Sequence, residues 1–337
     1  MVSGPLHGRT AVRLQILPAA ALLFALAACD PTLGLGLPSE RVLEDGAAST
    51  LSQAKSLGIK GAFSTSQGVS STIDLQLVRP NTQHATITTG DEKVEAIVVG
   101  ETAYFRGPKF LAGHMGSDPL SQNLVKAAGN SWWRGSPGNI PAMTEFTDGA
   151  AFRTSFLGSA NTQRTDHLSV DGQPAVQLSG SRADVFIATT PPYHLLRVHL
   201  KEGVLIDAMR EVDFHYGDFD RDFSISPPTD VIDFSNLSTL PPIYTVVSVD
   251  TSRCASPCVV SAQLKNLGGA TGATAPSTVT FSLAAAISGS VLGTCQATVT
   301  PDVGYNGTTT VSCSITVTSQ PENAAVVTAT ASNPGRG

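Results

Sequence analysis

The sequence predicts an α+β protein in two parts: a curved antiparallel sheet with one N-terminal helix and a helical lid, followed by an all-β sandwich. Three observations predict it. Between Ile59 and Arg106 apolar residues recur with a period of two, as in "STIDLQLV", where Ile73, Leu75 and Leu77 share one face and Thr72, Asp74 and Gln76 the other. Helix start and stop signals precede and interrupt that series. After Leu240-Pro241-Pro242 the composition changes: residues 241–337 hold six charged side chains and sixteen threonines, and no helical period.

The chain opens with Arg9 and Arg13 and no acid, then an apolar run from Ile16 to Ala28 broken only by Pro18. That run falls short of the roughly 20 residues needed to span a bilayer and has the form of a secretory signal. Leu26-Ala27-Ala28 followed by Cys29 resembles the lipobox of bacterial lipoproteins, in which the cysteine is acylated and becomes the new N-terminus. The alternatives are an ordinary secretory signal with an incidental Cys29, or an uncut signal anchor. Lipidation implies membrane attachment without a spanning helix, because two or three acyl chains anchor stably where one does not. Residues 1–28 are therefore expected to be the signal peptide and residues 29–38, "CDPTLGLGLP", a tether. Without residues 1–28 the chain carries 19 cations against 27 acids, a formal charge of −8. With only seven lysines in that acidic chain, it lacks the electrostatic footprint of a nucleic-acid binder.

Ser39 is the expected N-cap of a helix to about Leu57, with Leu43, Ala47, Leu51, Ala54 and Leu57 apolar and Gly58 just beyond. Strands are expected at residues 59–66, 71–79, 83–89, 93–99 and 102–106, with Gly100-Glu101 as a two-residue hairpin turn. The pattern breaks at Gly107. Asp118 then caps a helix with Pro119 in its first turn, Leu120, Leu124 and Val125 on one side, and Gly129 as its stop. Trp132 and Trp133 follow, then a Gly/Pro-rich loop to Pro141. Strands resume after about Leu168, with Asp171-Gly172 as a hairpin signal, and end near "RDFSISPPTDVIDF". Residues 39–238 thus form one expected domain and residues 243–333 a second.

Six or seven short Thr-rich strands in about 100 residues indicate an immunoglobulin-like sandwich. "NLGGATG" after "AQLK" looks like the N-x-G turn of Ig-like modules in bacterial surface proteins. Cys254, Cys258, Cys295 and Cys313 all lie in this part, and an even number in an exported chain favours disulfides. Four cysteines allow three connectivities; the expected one closes a small loop with Cys254–Cys258 and joins two strands with Cys295–Cys313.

No GxSxG, HExxH, P-loop or GxGxxG motif occurs, which lowers an enzymatic reading, and no cofactor or metal is expected. Asp218, Asp220 and Asp222 alternate as calcium ligands do, but Phe223 stands where an EF-hand loop needs glycine and Asp230 where it needs glutamate, so wet strand acids are the simpler reading. His194 and His199 fall on opposite faces of one strand, which rules out a shared metal. Three roles are open to Trp132 and Trp133: lining a ligand cavity, dipping into a membrane, or plugging the core beneath the lid. The strand face of Ile73, Leu75, Leu77, Ile87 and Val98 either fills an ordinary core or lines a hollow.

The order of elements resembles the mycobacterial envelope lipoproteins of the LppX/LprG type, whose fold is like that of the LolA carrier. The resemblance covers residues 40 to about 235. It rests on the lipobox at Cys29, on "VVGETAYFRGPKF" followed by helices and "NSWWRG", on "VDGQPAVQLSGSRADVFIATTPPYHLLRVHL", and on "FHYGDFDRDFSISPP". It implies a half-barrel closed by helices and a lipid or glycolipid held in an apolar cavity, with no catalyst. The cavity candidates are Ile73, Leu75, Leu77, Ile87, Val98, Leu120, Leu124 and Trp132. The second domain departs from that family, and an interaction or scaffold role, with the Ig-like domain binding an envelope protein or cell-wall partner, is the alternative.

Overall fold

The computed structural model describes residues 36–141, 143–158, 162–255, 257–317 and 324–336. The expected signal segment, Cys29 and residues 30–35 of the tether lie outside them.

Helix α1 (Glu40–Gln53) starts where Ser39 accepts a hydrogen bond from the Val42 N–H, and it buries Leu43, Ala47 and Leu51 completely. It is shorter than expected. Ser56, Leu57 and Gly58 pair with Val78, Leu77 and Gln76, so β1 (Ser56–Thr65) takes residues whose apolar spacing also suits a helix. The guanidinium of Arg79 donates to the Leu51 and Ala54 carbonyls at 2.8 and 3.0 Å, a cation at the negative end of the helix.

An antiparallel meander follows: β2 (Ser70–Val78), β3 (Thr82–Thr89), β4 (Glu92–Val99) and β5 (Thr102–Arg106). Then come α2 (Pro108–Met115), α3 (Pro119–Ala128) with Asp118 capping the Leu120 and Ser121 amides, and β6 (Trp132–Gly135). The interval left without elements between Pro141 and Leu168 holds α4 (Thr144–Thr147), α5 (Gly149–Phe156) and the start of β7 (Gln163–Val170). Asp148 caps α5 and Phe152 and Phe156 are buried one turn apart, a signal that was present in "DGAAFRTSF". Strands β8 (Gln173–Ser179), β9 (Ala183–Ala188), β10 (Leu195–Leu200), β11 (Met209–Gly217) and β12 (Val231–Ile232) complete the first part.

These twelve strands form one sheet in the order β12-β6-β5-β4-β3-β2-β1-β11-β10-β9-β8-β7. It is antiparallel except where β12 runs parallel to β6, and it is not closed into a barrel. Two groups of helices cover its inner face: α1, α4 and α5 over the β9–β10 side, and α2 with α3 at the β5–β6 end. Their apolar sides and the inward strand residues make one core.

Among its described residues the second part has six strands: β13 (Tyr244–Asp250), β14 (Cys258–Asn266), β15 (Thr278–Ala285), β16 (Val291–Thr298), β17 (Thr308–Ile315) and β18 (Ala325–Ser332). They form two three-stranded sheets, β13-β14-β17 and β16-β15-β18, around a core that includes Tyr244, Val260, Leu264, Val279, Phe281 and Ile315. Cys295–Cys313 ties the sheets together and Cys254–Cys258 closes the loop before β14. Asn266 is fully buried and fully used: its carboxamide oxygen accepts from Ile243 and Gly268, and its amide donates to Gly269 and Val303. Leu240 and Ile243 are buried in the core of the first part, so the join between the two parts is packed.

Candidate functional site

Cross-strand register sets the inner face. Ile59, Leu75, Ala85, Ala96, Phe105 and Trp133 stand opposite one another from β1 to β6, and all are buried. The row on one side of it carries Gly61, Ile73, Ile87 and Val94, and the row on the other carries Leu57, Leu77, Gln83, Val98 and Ala103. Over β2–β4, between the two helical groups, the cover is thin. Leu77, Gln83 and Ile87 are only half-buried there.

Beneath Ile140, Pro141 and Met143 lies a cavity of about 20 Å³, lined also by Phe63, Ile73, Leu75, Gln83, Ala85, Ile87 and Met209. That is room for about one water-sized group and far below the roughly 300 Å³ at which ligand pockets begin. The space at Ile73, Leu75 and Ile87 is therefore packed rather than hollow. Open clefts lie on both sides along β3. One, of about 230 Å³, shares Gln83 and is lined by Leu77, Pro80, Asn81, Thr82, Val98 and Gly100. The other, of about 280 Å³, adjoins Val94, the cross-strand partner of Ile87, and is lined by Phe110, Pro108, Asp91, Glu92, Lys93 and Lys109. Lys109 there contacts Glu92 at 2.7 Å and Asp91 at 3.6 Å. A small apolar cavity thus lies over β2 and β3, with two separate open clefts nearby, one lined in part by Asn81, Thr82 and Gln83 and the other by Asp91, Glu92, Lys93 and Lys109.

Six of the eight cavity candidates face inward, but not as one lining. Ile73, Leu75 and Ile87 surround the small cavity, Leu77 and Val98 the adjoining cleft, and Leu124 is core beneath α3. Two face elsewhere. Leu120 is 44% exposed, because the buried side of α3 is Ser121, Leu124, Ala127 and Ala128. Trp132 lies on the outer face under the Arg106 guanidinium, 4.7 Å from its ring centre, because Phe105 pairs with Trp133 and puts Trp133 inside. Trp133 is the plug: it packs with Phe105, Phe110, His114 and Phe234. Sequence reasoning missed Ile140 and Met143, which meet the sheet only through loop paths that no periodicity encodes, and Met209, the first residue of β11.

The outer face is polar and internally paired. Arg197 forms two 2.6 Å bonds with Asp213, Lys201 reaches Asp184 at 2.6 Å, and His215 Nδ1 lies 2.8 Å from Asp171. Burial raises the Asp213 carboxyl, but the Arg197 hydrogen bonds and charge, with His199 and His215 nearby, bring it below the usual carboxylate range. Asp220 accepts from the Lys55 amide and Asp218 from Arg221, so these acids serve the chain itself. Among the described residues no group of three or more His, Cys, Asp or Glu side chains is placed to hold a metal, and no helix is long and apolar enough to cross a membrane.

No protein-family model matches the chain, and no curated protein matches it. Solved structures with a low similarity to it include the following two. One is MucB in complex with MucA(peri), at 13% identity over 68% of this chain and 75% of that chain, with a TM-score of 0.24. The other is the MucA/MucB complex of Pseudomonas aeruginosa, at 14% identity over 71% of this chain and 85% of that chain, with a TM-score of 0.26. Scores this low establish no shared fold.

Proposed function

We propose that the protein is a non-catalytic envelope lipoprotein, acylated at Cys29 on the outer face of the cytoplasmic membrane, that binds or transfers a lipid or glycolipid on the inner face of its sheet. In this reading residues 39–238 are a LolA-like module of the LppX/LprG type and residues 243–333 an Ig-like module. The observation that carries it is the thinly covered inner face over β2–β4, where Leu77 and Ile87 are only half-buried beside the small apolar cavity. An acyl chain laid there gains about 25 cal/mol for each Å² of apolar surface removed from water. The cavity admits a chain once Ile140, Pro141 and Met143 move outward, and Met143 and Met209 are the adaptable side chains to allow it. The charged cleft at Lys109, Glu92 and Asp91 leaves a polar head group near water.

Native mass spectrometry of the non-acylated protein taken from cells tests this reading: a co-purifying lipid is expected, and its consistent absence overturns it. Ile87→Trp, which fills the cavity from half-buried β3, is expected to reduce the lipid-loaded fraction at least fivefold without lowering the melting temperature by more than a few degrees.

A second reading, binding of an envelope protein or wall partner through the Ig-like module, is favoured by the exposed apolar side chains Val247, Ile287, Val291 and Val326 in a part of the chain with little charge. Ile287→Lys with Val291→Lys is expected to abolish capture of such a partner while leaving lipid content unchanged; capture that survives both changes excludes this patch.

A further inference from the structure

The inner-face cavity and the entry of the chain into the first part lie at the same end of the large sheet. There β1 turns into β2 through residues 66–69 and β10 into β11 through residues 201–208, and the cavity residues Phe63 and Met209 stand close to these two turns. Arg164, next to the first residue of β7, donates to the Pro38 carbonyl at 2.8 Å, and Gln163 pairs with Ser179 just before β8 turns into β9 at this end. From Pro38 α1 runs back toward the start of β1.

The two turns are neighbours. The Thr65 amide donates to the Val69 carbonyl at 2.9 Å, Thr65 pairs with Met209 across β1 and β11, and Met209 exchanges hydrogen bonds of 2.8 and 2.9 Å with Ile206. At about 4.8 Å per strand, these four ladder positions place the tips on the order of 15 Å apart. Val69 is 47% and Leu205 53% exposed, and among the described residues of the first part the other exposed large apolar side chain is Leu120, at the start of α3. The tip Ser66-Gln67-Gly68-Val69-Ser70 carries no charge. In the other tip Lys201 contacts Asp184 at 2.6 Å, and Glu202 and Asp207 flank Val204 and Leu205 as a polar rim. The opposite end of the sheet presents Glu101, Asp171, Asp218, Asp220 and Asp222 instead, carboxylates that are costly to take out of water.

We propose that the end of the sheet bearing Val69 and Leu205 rests on the surface of a phospholipid bilayer, with both side chains in the head-group layer and the cavity turned toward the lipid. The proposal rests on the reading of Cys29 as an acylated anchor. Residues 29–35 reach at most about 25 Å when fully extended. That is less than the roughly 33 Å length of the ten-residue β1, so the anchor draws the end where the chain enters to the bilayer and keeps the acidic end off it. Held by such a tether, the tips meet lipid at an effective concentration on the order of millimolar, at which two apolar side chains suffice for contact.

The test supplies the tether without the acyl group. A hexahistidine tag replaces residues 1–29, and the chain is held on phosphatidylcholine vesicles containing a nickel-chelating lipid and spin-labelled phosphatidylcholine. A fluorophore is attached at Gln67→Cys, Glu202→Cys or Glu101→Cys, all exposed turn positions. At least twofold quenching is expected at 67 and 202 and none at 101, and Val69→Glu with Leu205→Glu is expected to remove most of it with an unchanged circular dichroism spectrum. Quenching absent from either tip, equally strong at 101, or indifferent to the double glutamate change overturns the proposal, and so do unquenched tips that cross-link to a protein in cells. The mass of the N-terminal peptide from cells reports acylation of Cys29 separately: unquenched tips beside an acylated Cys29 sink the docking face alone, and quenched tips beside a bare Cys29 sink the anchor alone.

Discussion

Arg336 and Asp230 meet across 106 residues of chain, with one guanidinium nitrogen 2.8 and 2.9 Å from the two carboxylate oxygens. The same side chain donates to the Thr239 carbonyl at 3.0 Å, and the Arg336 amide donates to Ala127 at the end of α3 at 3.1 Å. Gly335, at φ 78°, makes this approach possible, since a Cβ there would stand 2.3 Å from the Lys126 carbonyl oxygen. The end of the second part is thus clasped to the helix that covers the β5–β6 end of the sheet. Arg336→Ala is expected to lower stability by about 1–2 kcal/mol, since Asp230 is exposed and its ion pair is screened. Amide exchange in α3 is the measurement, and it is expected to speed up more there than in β8.

Arg79 bonds three carbonyls, Leu51, Ala54 and Thr147, and so joins α1 to α4. Removing it leaves acceptors without donors at the end of a packed helix. Arg79→Ala is expected to cost about 2–3 kcal/mol in urea unfolding, and Arg79→Lys, which cannot span all three, more than half of that.

Acid is expected to destabilise the first part through carboxylates on its outer face. In Asp213, Asp184 and Glu95 burial pushes the carboxyl up, but hydrogen bonds and charge from Arg197, from Lys201, and from Lys93 with Arg106 outweigh it and leave each below its ordinary value. A depressed folded value means that the added stability is present above the unfolded value, 3.8 for Asp and 4.5 for Glu, and is lost as pH falls through the folded one. The urea midpoint is therefore expected to hold near neutrality and fall below about pH 4.5, less steeply in Asp213→Asn.

Asp207 has the opposite sign. Burial and then the neighbouring Glu145 charge raise its carboxyl, so it opposes folding once ionised. Its φ of 49° lies in the left-handed region, which asparagine tolerates well. Asp207→Asn is expected to raise neutral-pH stability by a few tenths of a kcal/mol, because the site is exposed, and to have no effect near pH 3.

The local pattern alone determined most strands, the Asp118 cap, the six strands of the second part, and which cysteines are near in sequence. These depend on period-two alternation, turn residues and caps, which are encoded within a few neighbouring side chains. Tertiary structure decided the rest. Leu57 has apolar spacing that suits α1, yet pairing with Leu77 draws it into β1. Trp132 and Trp133 are indistinguishable in sequence until Phe105 sets the register that sends one outward to Arg106 and the other into the core. Ile73, Leu75 and Ile87 announce an apolar face, but whether it is hollow depends on Ile140 and Met143 arriving from a distant loop and on Met209 of β11. Periodicity tells which side of a strand is apolar; only the packing of remote segments tells what, if anything, fills the space beside it.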